Sequence, residues 1–337
     1  MQEVIIMSKP LLSVCDLKVY YPVKIKNGFF NKTAYLKAVD GISFDVNEGE
    51  TFGIVGESGC GKSTTGKTIV RLNTPTEGTI EFNGEDLFTK DKQKQKEFSK
   101  AIQIIFQDPY SSLDPRFTVT QIIEEPMLVH DMGNKQERHE RVLALMKDVG
   151  LREDQCSKYP HEFSGGQRQR IGVARALASN PKLIVCDEPV SALDVSIQAQ
   201  ILNLMDDLQK KHNLTYIFIS HNLSVVKHVC SRIAVMYLGN IVEVADRNGL
   251  FDHPYHPYTL ALMKAIPIPD PQIQSATDAL SGDVPSPLNP PNGCCFHTRC
   301  PRCMKICSEV KPKLFEKEPG HFVACHLFDE ESEKNYE

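Results

Sequence analysis

Short apolar runs bounded by turn residues punctuate most of the chain. Residues 51–55, 101–106, 182–186 and 214–219 each read as a strand, and the first has the continuous apolar character of a buried parallel strand. Residues 11–21 alternate in part and predict another strand, as do residues 34–47. Asn47-Glu48-Gly49-Glu50 then turns the chain into the run at 51–55. Residues 78–82 with Asn83-Gly84 predict a strand and tight turn. Residues 233–238 and 241–245 predict a hairpin about Gly239-Asn240. Between 108 and about 180 the pattern changes to helical spacing, with apolar stripes over 119–130 and 136–149, so a helical insertion interrupts the strands. Residues 90–100 are mostly charged and predict a solvated helix face; residues 197–212 predict a further helix. No internal repeat is visible, and the acidic last residues predict a frayed end.

Gly56 to Ser63 fits G-x-x-x-x-G-K-[ST] between the strand at 51–55 and a helix predicted over 64–72. Gly56, Gly59 and Gly61 free the backbone to point N–H groups at one anion, and the helix N-terminus adds partial positive charge. Lys62 can reach the outer phosphates of a nucleotide, and the Ser63 hydroxyl can ligate Mg²⁺. Three further stretches carry candidate chemistry. Ser164-Gly165-Gly166-Gln167 opens a long helix and predicts a second anion site, though serine there is also an ordinary cap. Asp187-Glu188 ends one strand, where one carboxylate can hold Mg²⁺ and the other can take a proton from water. Ser220-His221 ends the next, which places a histidine beside two other strand-end sites. Tyr20 and Tyr21 end the first strand, where an aromatic can stack on a base or simply pack.

The last part of the chain changes character. Prolines accumulate from 266 to 293, as in an extended, semi-rigid linker. Six of the 11 cysteines follow: Cys294, Cys295, Cys300, Cys303, Cys307 and Cys325. In a reducing compartment such a cluster points to metal more than to disulfides. The Cys300–Cys303 spacing with His297, His321 and His326 nearby fits zinc, and thiolate sites also suit an iron–sulfur cluster. The other cysteines are scattered and predict buried, inert positions, except Cys60, whose place in the glycine loop predicts sensitivity to alkylation.

Composition narrows the class. With 337 residues the chain has material for more than one domain, and 41% hydrophobic with 24% charged residues is ordinary for a soluble protein. A net charge of −5 gives no sign of bulk nucleic-acid binding. No apolar run approaches the roughly 20 residues that cross a bilayer, and the N-terminus lacks a signal pattern. The sequence therefore predicts a cytosolic chain whose membrane role is borrowed from partners.

The glycine loop, Gln107, Ser164-Gly165-Gly166-Gln167, Asp187-Glu188, Ser191-Ala192-Leu193-Asp194 and His221 stand in the order found in ABC-transporter ATPase subunits, and the resemblance covers about residues 11–255. Phe163 where that family usually has leucine, I-I-F-Q-D-P-Y-S-S-L-D-P-R at 104–116, and the cysteine-rich tail resemble the F-type subunit of oligopeptide and dipeptide importers. The related D-type subunit usually carries methionine where this chain has Gln167. The resemblance implies an α/β fold: an ABC-type P-loop NTPase core with an antiparallel β subdomain and a helical subdomain at about 108–180. Together these form a nucleotide-binding domain over 1–265. The rest, 266–337, is then the linker and a small cysteine-rich extension that binds a metal or cluster.

The same resemblance assigns roles. Tyr21 would stack on adenine. Gly56, Glu57, Ser58, Gly59, Cys60, Gly61, Lys62, Ser63 and Thr64 would hold the phosphates of ATP. Ser63, Gln107 and Asp187 would serve Mg²⁺, directly or through water. Glu188 would polarise the attacking water, and His221 would contact the γ-phosphate. Ser164, Gly165, Gly166 and Gln167 would complete the ATP site of a second subunit, and Asp194 would communicate across that interface. In the tail, Cys294, Cys300, Cys307 and Cys325 match a pattern that can hold a [4Fe–4S] cluster, with Cys295 and Cys303 as departures from it; zinc and free thiols are the alternatives.

The implied assembly is a heterodimer with a similar ATPase, docked on two transmembrane permease subunits at the cytoplasmic face of the membrane. An extracytoplasmic binding protein delivers peptide, and nucleic acid has no part. Import of another solute such as nickel, or a non-transport ABC ATPase, are the rival readings. A DNA-repair ABC ATPase would need a long coiled coil, and no sustained heptads exist here.

Overall fold

The computed structural model describes residues 9–27, 30–265 and 282–329. The chain opens with β1 (Leu12–Asn27) and β2 (Phe30–Val46), then β3 (Thr51–Val55) and α1 (Lys62–Ile69). β4 (Glu77–Phe82), β5 (Glu85–Asp86), α2 (Lys92–Ala101) and β6 (Ile102–Ile105) follow. The helical stretch holds α3 (Val119–Val129), α4 (Lys135–Asp148) and α5 (Gly165–Leu177). Next come β7 (Leu183–Asp187), α6 (Val195–His212), β8 (Thr215–Ser220), α7 (Leu223–Val229), β9 (Arg232–Tyr237) and β10 (Asn240–Asp246). α8 (Arg247–Asp252), α9 (Pro257–Lys264), β11 (Phe315–Glu318) and β12 (His321–Val323) complete the described elements.

Two sheets organise these elements. β2-β1-β4-β5 form an antiparallel sheet, and β11-β12-β10-β9-β3-β8-β7-β6 form a mixed one. In the second, β6, β7, β8, β3 and β9 run parallel, with pairs such as Ile105 with Cys186, Asp187 with Ile219, and Val55 with Ser220. Every residue of β3, β7 and β8 is buried, which explains their unbroken apolar sequences. Parallel register has a functional consequence. The segments that leave β3, β6, β7 and β8 all emerge on one edge, the edge where ligands bind in open α/β sheets.

The helices of the insertion start on side-chain caps, which their sequences encode locally. Thr118, Asn134 and Ser164 each form a reciprocal capping box with the residue three positions on. Phe163, just before the last cap, is buried in the core, so the residue that departs from the family's usual leucine serves as an apolar anchor.

β11 and β12 are elements for which the sequence reading has no counterpart. F-E-K-E and H-F-V are too short and too polar to show a strand period. Their place comes from long-range burial. Glu243 on β10 is wholly buried, and its carboxylate accepts from the N–H groups of Tyr255 (2.7 Å) and His256 (3.0 Å). His321 of β12 contributes its Nε2 at 2.8 Å to the same carboxylate. Phe296 is fully buried against Tyr237, Tyr258 and His256 and belongs to the main core. The tail thus has no separate core and lies on the body that carries the large sheet. Of the proline-rich linker, 266–281 lies outside the described residues.

This docking carries a pH dependence. His256 is 1% exposed, and its Nδ1 accepts from the Tyr258 N–H, so the ring is neutral there. Burial pushes its pKa down to about 4, against the pull of Glu243. An unfolded histidine titrates at about 6.5, so as pH falls from there to about 4 the unfolded chain takes up a proton that the native chain refuses. Stability contributed by the neutral ring is therefore present at neutral pH and lost in acid, by about 3 kcal/mol in all. His256→Asn retains a capping acceptor. We expect its unfolding free energy, measured in denaturant from pH 7 to 4.5, to fall less steeply with acid than that of the wild type.

Candidate functional site

The glycine loop leaves β3 in the middle of the large sheet and enters α1. Gly56 (φ +151°) and Gly61 (φ +105°) are the positions where glycine is required. An added Cβ at Gly56 would stand 2.1 Å from the Met236 carbonyl oxygen, and one at Gly61 would stand 2.2 Å from that of Ala38. Both contacts are to backbone and cannot be relieved by a rotamer change. Lys62 is 4% exposed, and its Nζ donates to the carbonyls of Gly56 (2.8 Å) and Glu57 (2.9 Å). The ammonium is thus fixed within the curl of the loop. Cys60 is also buried beneath the loop, and burial pushes its thiol pKa up. A buried thiol with a raised pKa is a poor nucleophile, which counts against the expected sensitivity to alkylation.

The strand ends bring the other candidates to this loop. The Ser63 hydroxyl donates to Asp187 Oδ1 at 2.7 Å. Burial pushes the Asp187 carboxyl pKa up, and the Ser63 hydroxyl, Lys67 and Lys62 oppose the shift. Glu188 adopts φ +48°, rare for a side chain of its size, and its N–H donates to the Ile219 carbonyl at 3.0 Å. Its Oε2 accepts from the Gln107 amide at 2.9 Å and lies 3.1 Å from His221 Nδ1. Residues from β3, β6, β7 and β8 therefore meet although they are far apart in sequence. A cavity of about 690 Å³ opens above them, lined by Tyr21, Ser58, Gly59, Gly61, Lys62, Ser63, Thr64, Gln107, Glu188 and His221. Leu36, Ala38 and Pro287 complete its wall and carry no chemical signal in the sequence. Leu36 and Ala38 lie on the strand that pairs with Tyr21, so an early pairing of 11–21 with 34–47 would have suggested them.

The Ser164–Gln167 stretch is not in this cavity. Ser164 is exposed, with its Oγ 3.4 Å from the Gln167 N–H, while Gly166 packs against Ile197 of α6. Asp194 is exposed too. It caps α6 by accepting from the Ile197 N–H (3.0 Å) and the Ser196 hydroxyl (2.7 Å), and these bonds hold its pKa down. Both stretches are local caps within this chain and leave polar groups facing outward.

In the tail, Cys294, Cys307 and Cys325 are buried, Cys300 is half-buried and Cys303 is exposed; every cysteine is a free thiol. Burial pushes the Cys325 thiol up to about 12, and the neighbouring Cys294, Cys300 and Cys307 thiols add to the shift. Cys295 turns away, with its Sγ 3.8 Å from the Tyr237 carbonyl. Among the described residues, no three His, Cys, Asp or Glu side chains are grouped as ligands of one metal ion. Among them, too, no helix is long and apolar enough to cross a membrane.

A glycine loop, paired strand-end carboxylates, a glutamine and a histidine around one nucleotide-sized cavity define a P-loop ATPase cassette. The ABC transporter family profile matches residues 39–191, and the profile of the oligopeptide/dipeptide transporter C-terminal region matches 242–307. The oligopeptide transport ATP-binding protein AppF of Bacillus subtilis is 53% identical over 322 residues, 94% of this chain and 97% of its own. The dipeptide transport ATP-binding protein DppF of Escherichia coli is 48% identical over 325 residues, 96% of each chain. Among solved structures, the dimeric post-hydrolysis state of the ATP-binding cassette MJ0796 bound to ADP and Pi aligns with a TM-score of 0.61 at 28% identity, over 70% of this chain and 98% of that one. The cbiO1 protein of Clostridium perfringens, part of the ABC transporter complex cbiONQ, aligns with a TM-score of 0.62 at 26% identity, over 73% and 92%. The chain belongs to the ABC transporter family, and within it to the ATP-binding proteins of oligopeptide and dipeptide transport.

Proposed function

We propose that this chain is the ATP-hydrolysing subunit of a peptide importer, working with membrane permease subunits and using ATP with Mg²⁺. The observation that carries the reading is the meeting of Lys62, Ser63 and Gln107–Glu188–His221 at one cavity, with the buried Asp187 hydrogen-bonded behind Ser63. Lys62 and the loop N–H groups neutralise the outer phosphates, and Tyr21 stacks on the base. Ser63, Asp187 and Gln107 supply only a few oxygens around Mg²⁺. That is the usual protein share for an ion that keeps water and phosphate ligands. Glu188 accepts the developing proton of the attacking water while Gln107 and His221 hold its carboxylate in place. The chemistry is mainly positioning and charge neutralisation.

Ser164, Gly165, Gly166 and Gln167 lie outside the cavity, with the Ser164 hydroxyl exposed, and suit the closure of a neighbour's site, with Asp194 at the same interface. The neighbour is a similar, non-identical ATPase, and the pair sits on the cytoplasmic face of the membrane through the permeases, with a binding protein delivering peptide outside. Equilibrium dialysis with Mg·ATP tests the core of this. The chain mixed with its partner ATPase is expected to retain nucleotide and to associate in its presence; neither retention nor association would sink the reading.

For the tail we favour a [4Fe–4S] cluster held by Cys294, Cys300, Cys307 and Cys325. What supports it is the spacing of these four cysteines in the sequence, with Cys294, Cys307 and Cys325 buried, Cys300 half-buried, and Cys295 directed at the Tyr237 carbonyl. Zinc at the Cys300–Cys303 pair with a nearby histidine is the alternative. When bound the cluster would supply a covalent staple to a segment without a core of its own. Anaerobically purified protein is expected to absorb broadly near about 400 nm. One bound zinc per chain with no such absorbance would refute this.

A further inference from the structure

The tail also touches the phosphate loop. Arg299, at the end of a short 3-10 turn, is 8% exposed. Its guanidinium grips Glu57 with both prongs, Nη1 to Oε2 at 2.8 Å and Nη2 to Oε1 at 3.1 Å. Nη1 also donates to the Tyr237 hydroxyl at 3.4 Å. Glu57 is the second residue of the glycine loop, and it is held at two other points. Its N–H donates to the Tyr258 hydroxyl at 2.9 Å, and its carbonyl accepts from Lys62 Nζ. The tail makes a second approach to the same site, where Pro287 lines the nucleotide cavity and its carbonyl accepts from the Lys37 N–H at 3.1 Å.

Glu57 poses an electrostatic problem that these contacts solve. A carboxylate in a loop built to bind polyphosphate opposes the ligand's charge. A forked, buried arginine both neutralises it and fixes where it points. A loop held in its binding geometry also loses less freedom when the nucleotide arrives. We propose that Arg299 is a positioning residue for nucleotide binding, and that through its pair with Glu57 the cysteine-rich tail sets the affinity of the site for ATP. Arg299 does not touch the reacting atoms. It acts on them through the loop.

The test uses the full-length chain and Mg·ATP, with Kd measured by calorimetry and folding followed by thermal melting. Arg299→Met keeps an apolar stem but removes the fork and the charge. We expect its Kd to rise about tenfold. Arg299→Lys, which keeps the charge and loses the fork, should fall between. The double variant Arg299→Met with Glu57→Gln should recover most of the loss, because the uncompensated charge is gone, whereas a general packing defect would add to it. In ATPase assays of the assembled transporter the change should appear in KM more than in kcat. A folded Arg299→Met protein with Kd within about twofold of wild type, or a double variant weaker than the single, overturns the proposal. If Arg299→Met does not fold, Arg299→Lys decides, and an unchanged Kd there is equally fatal. The inference rests on the loop being the nucleotide site. Failure of the wild type to bind Mg·ATP would remove that reading, while wild-type binding with indifferent variants would remove only this one.

Discussion

Glu188→Gln is expected to keep Mg·ATP affinity and to lose at least about 100-fold in turnover, some 2.7 kcal/mol of barrier. Glutamine matches glutamate in shape, so the contacts of residue 188 with Gln107 and His221 can persist. What disappears is the basic oxygen that takes charge from the attacking water. The backbone of residue 188 supports a specialised role. It is held at φ +48°, a left-handed conformation that costs energy in any residue with a long side chain, and its N–H is tied to the adjacent strand through Ile219. That geometry aims the carboxylate off the end of β7 instead of along it. The measurement is steady-state phosphate release from a dimer whose partner site has been disabled, alongside a binding isotherm. Near-normal turnover would remove Glu188 from this role.

Lys62→Ala should behave in the opposite way, with the loss in binding itself. The ammonium is buried and donates to two loop carbonyls, so it sits inside the curl that the loop N–H groups surround. Its removal takes away the one formal positive charge inside the loop, along with bonds that shape it. Charge-assisted hydrogen bonds of this kind contribute about 1.5–3 kcal/mol each. We expect Mg·ATP affinity to fall on the order of 100-fold. Equilibrium dialysis decides it, with circular dichroism to show that the loop's disturbance has not spread. Unchanged affinity would contradict the phosphate-cradle reading. The two variants together separate chemistry from binding: one changes kcat at constant affinity, the other changes affinity first.

Most of the ATPase core was legible residue by residue. The buried strands announce themselves because both faces are covered, so no polar position interrupts them. Gly56 and Gly61 are legible because only glycine tolerates a backbone oxygen about 2 Å from where a Cβ would sit. The helix start at Ser164 is legible because a cap is a contact within three residues, whereas the sequence reading misses the cap at Asp194 and begins that helix at 197. The same locality limits what those residues reveal. A cap that also closes a neighbour's site looks like any other cap.

Local chemistry in the sequence thus determined the phosphate loop, the strand-end carboxylates and the insertion helices, since each depends on residues a few positions apart. Only the tertiary structure decided that the tail is part of the ATPase body. Arg299 meets Glu57 across 242 positions, Phe296 fills a space between Tyr237 and Tyr258, and His321 finds the buried Glu243. No periodicity encodes such pairings. They arise because a buried charge requires a partner and a buried ring requires neighbours, and those needs are met only once the whole chain has folded.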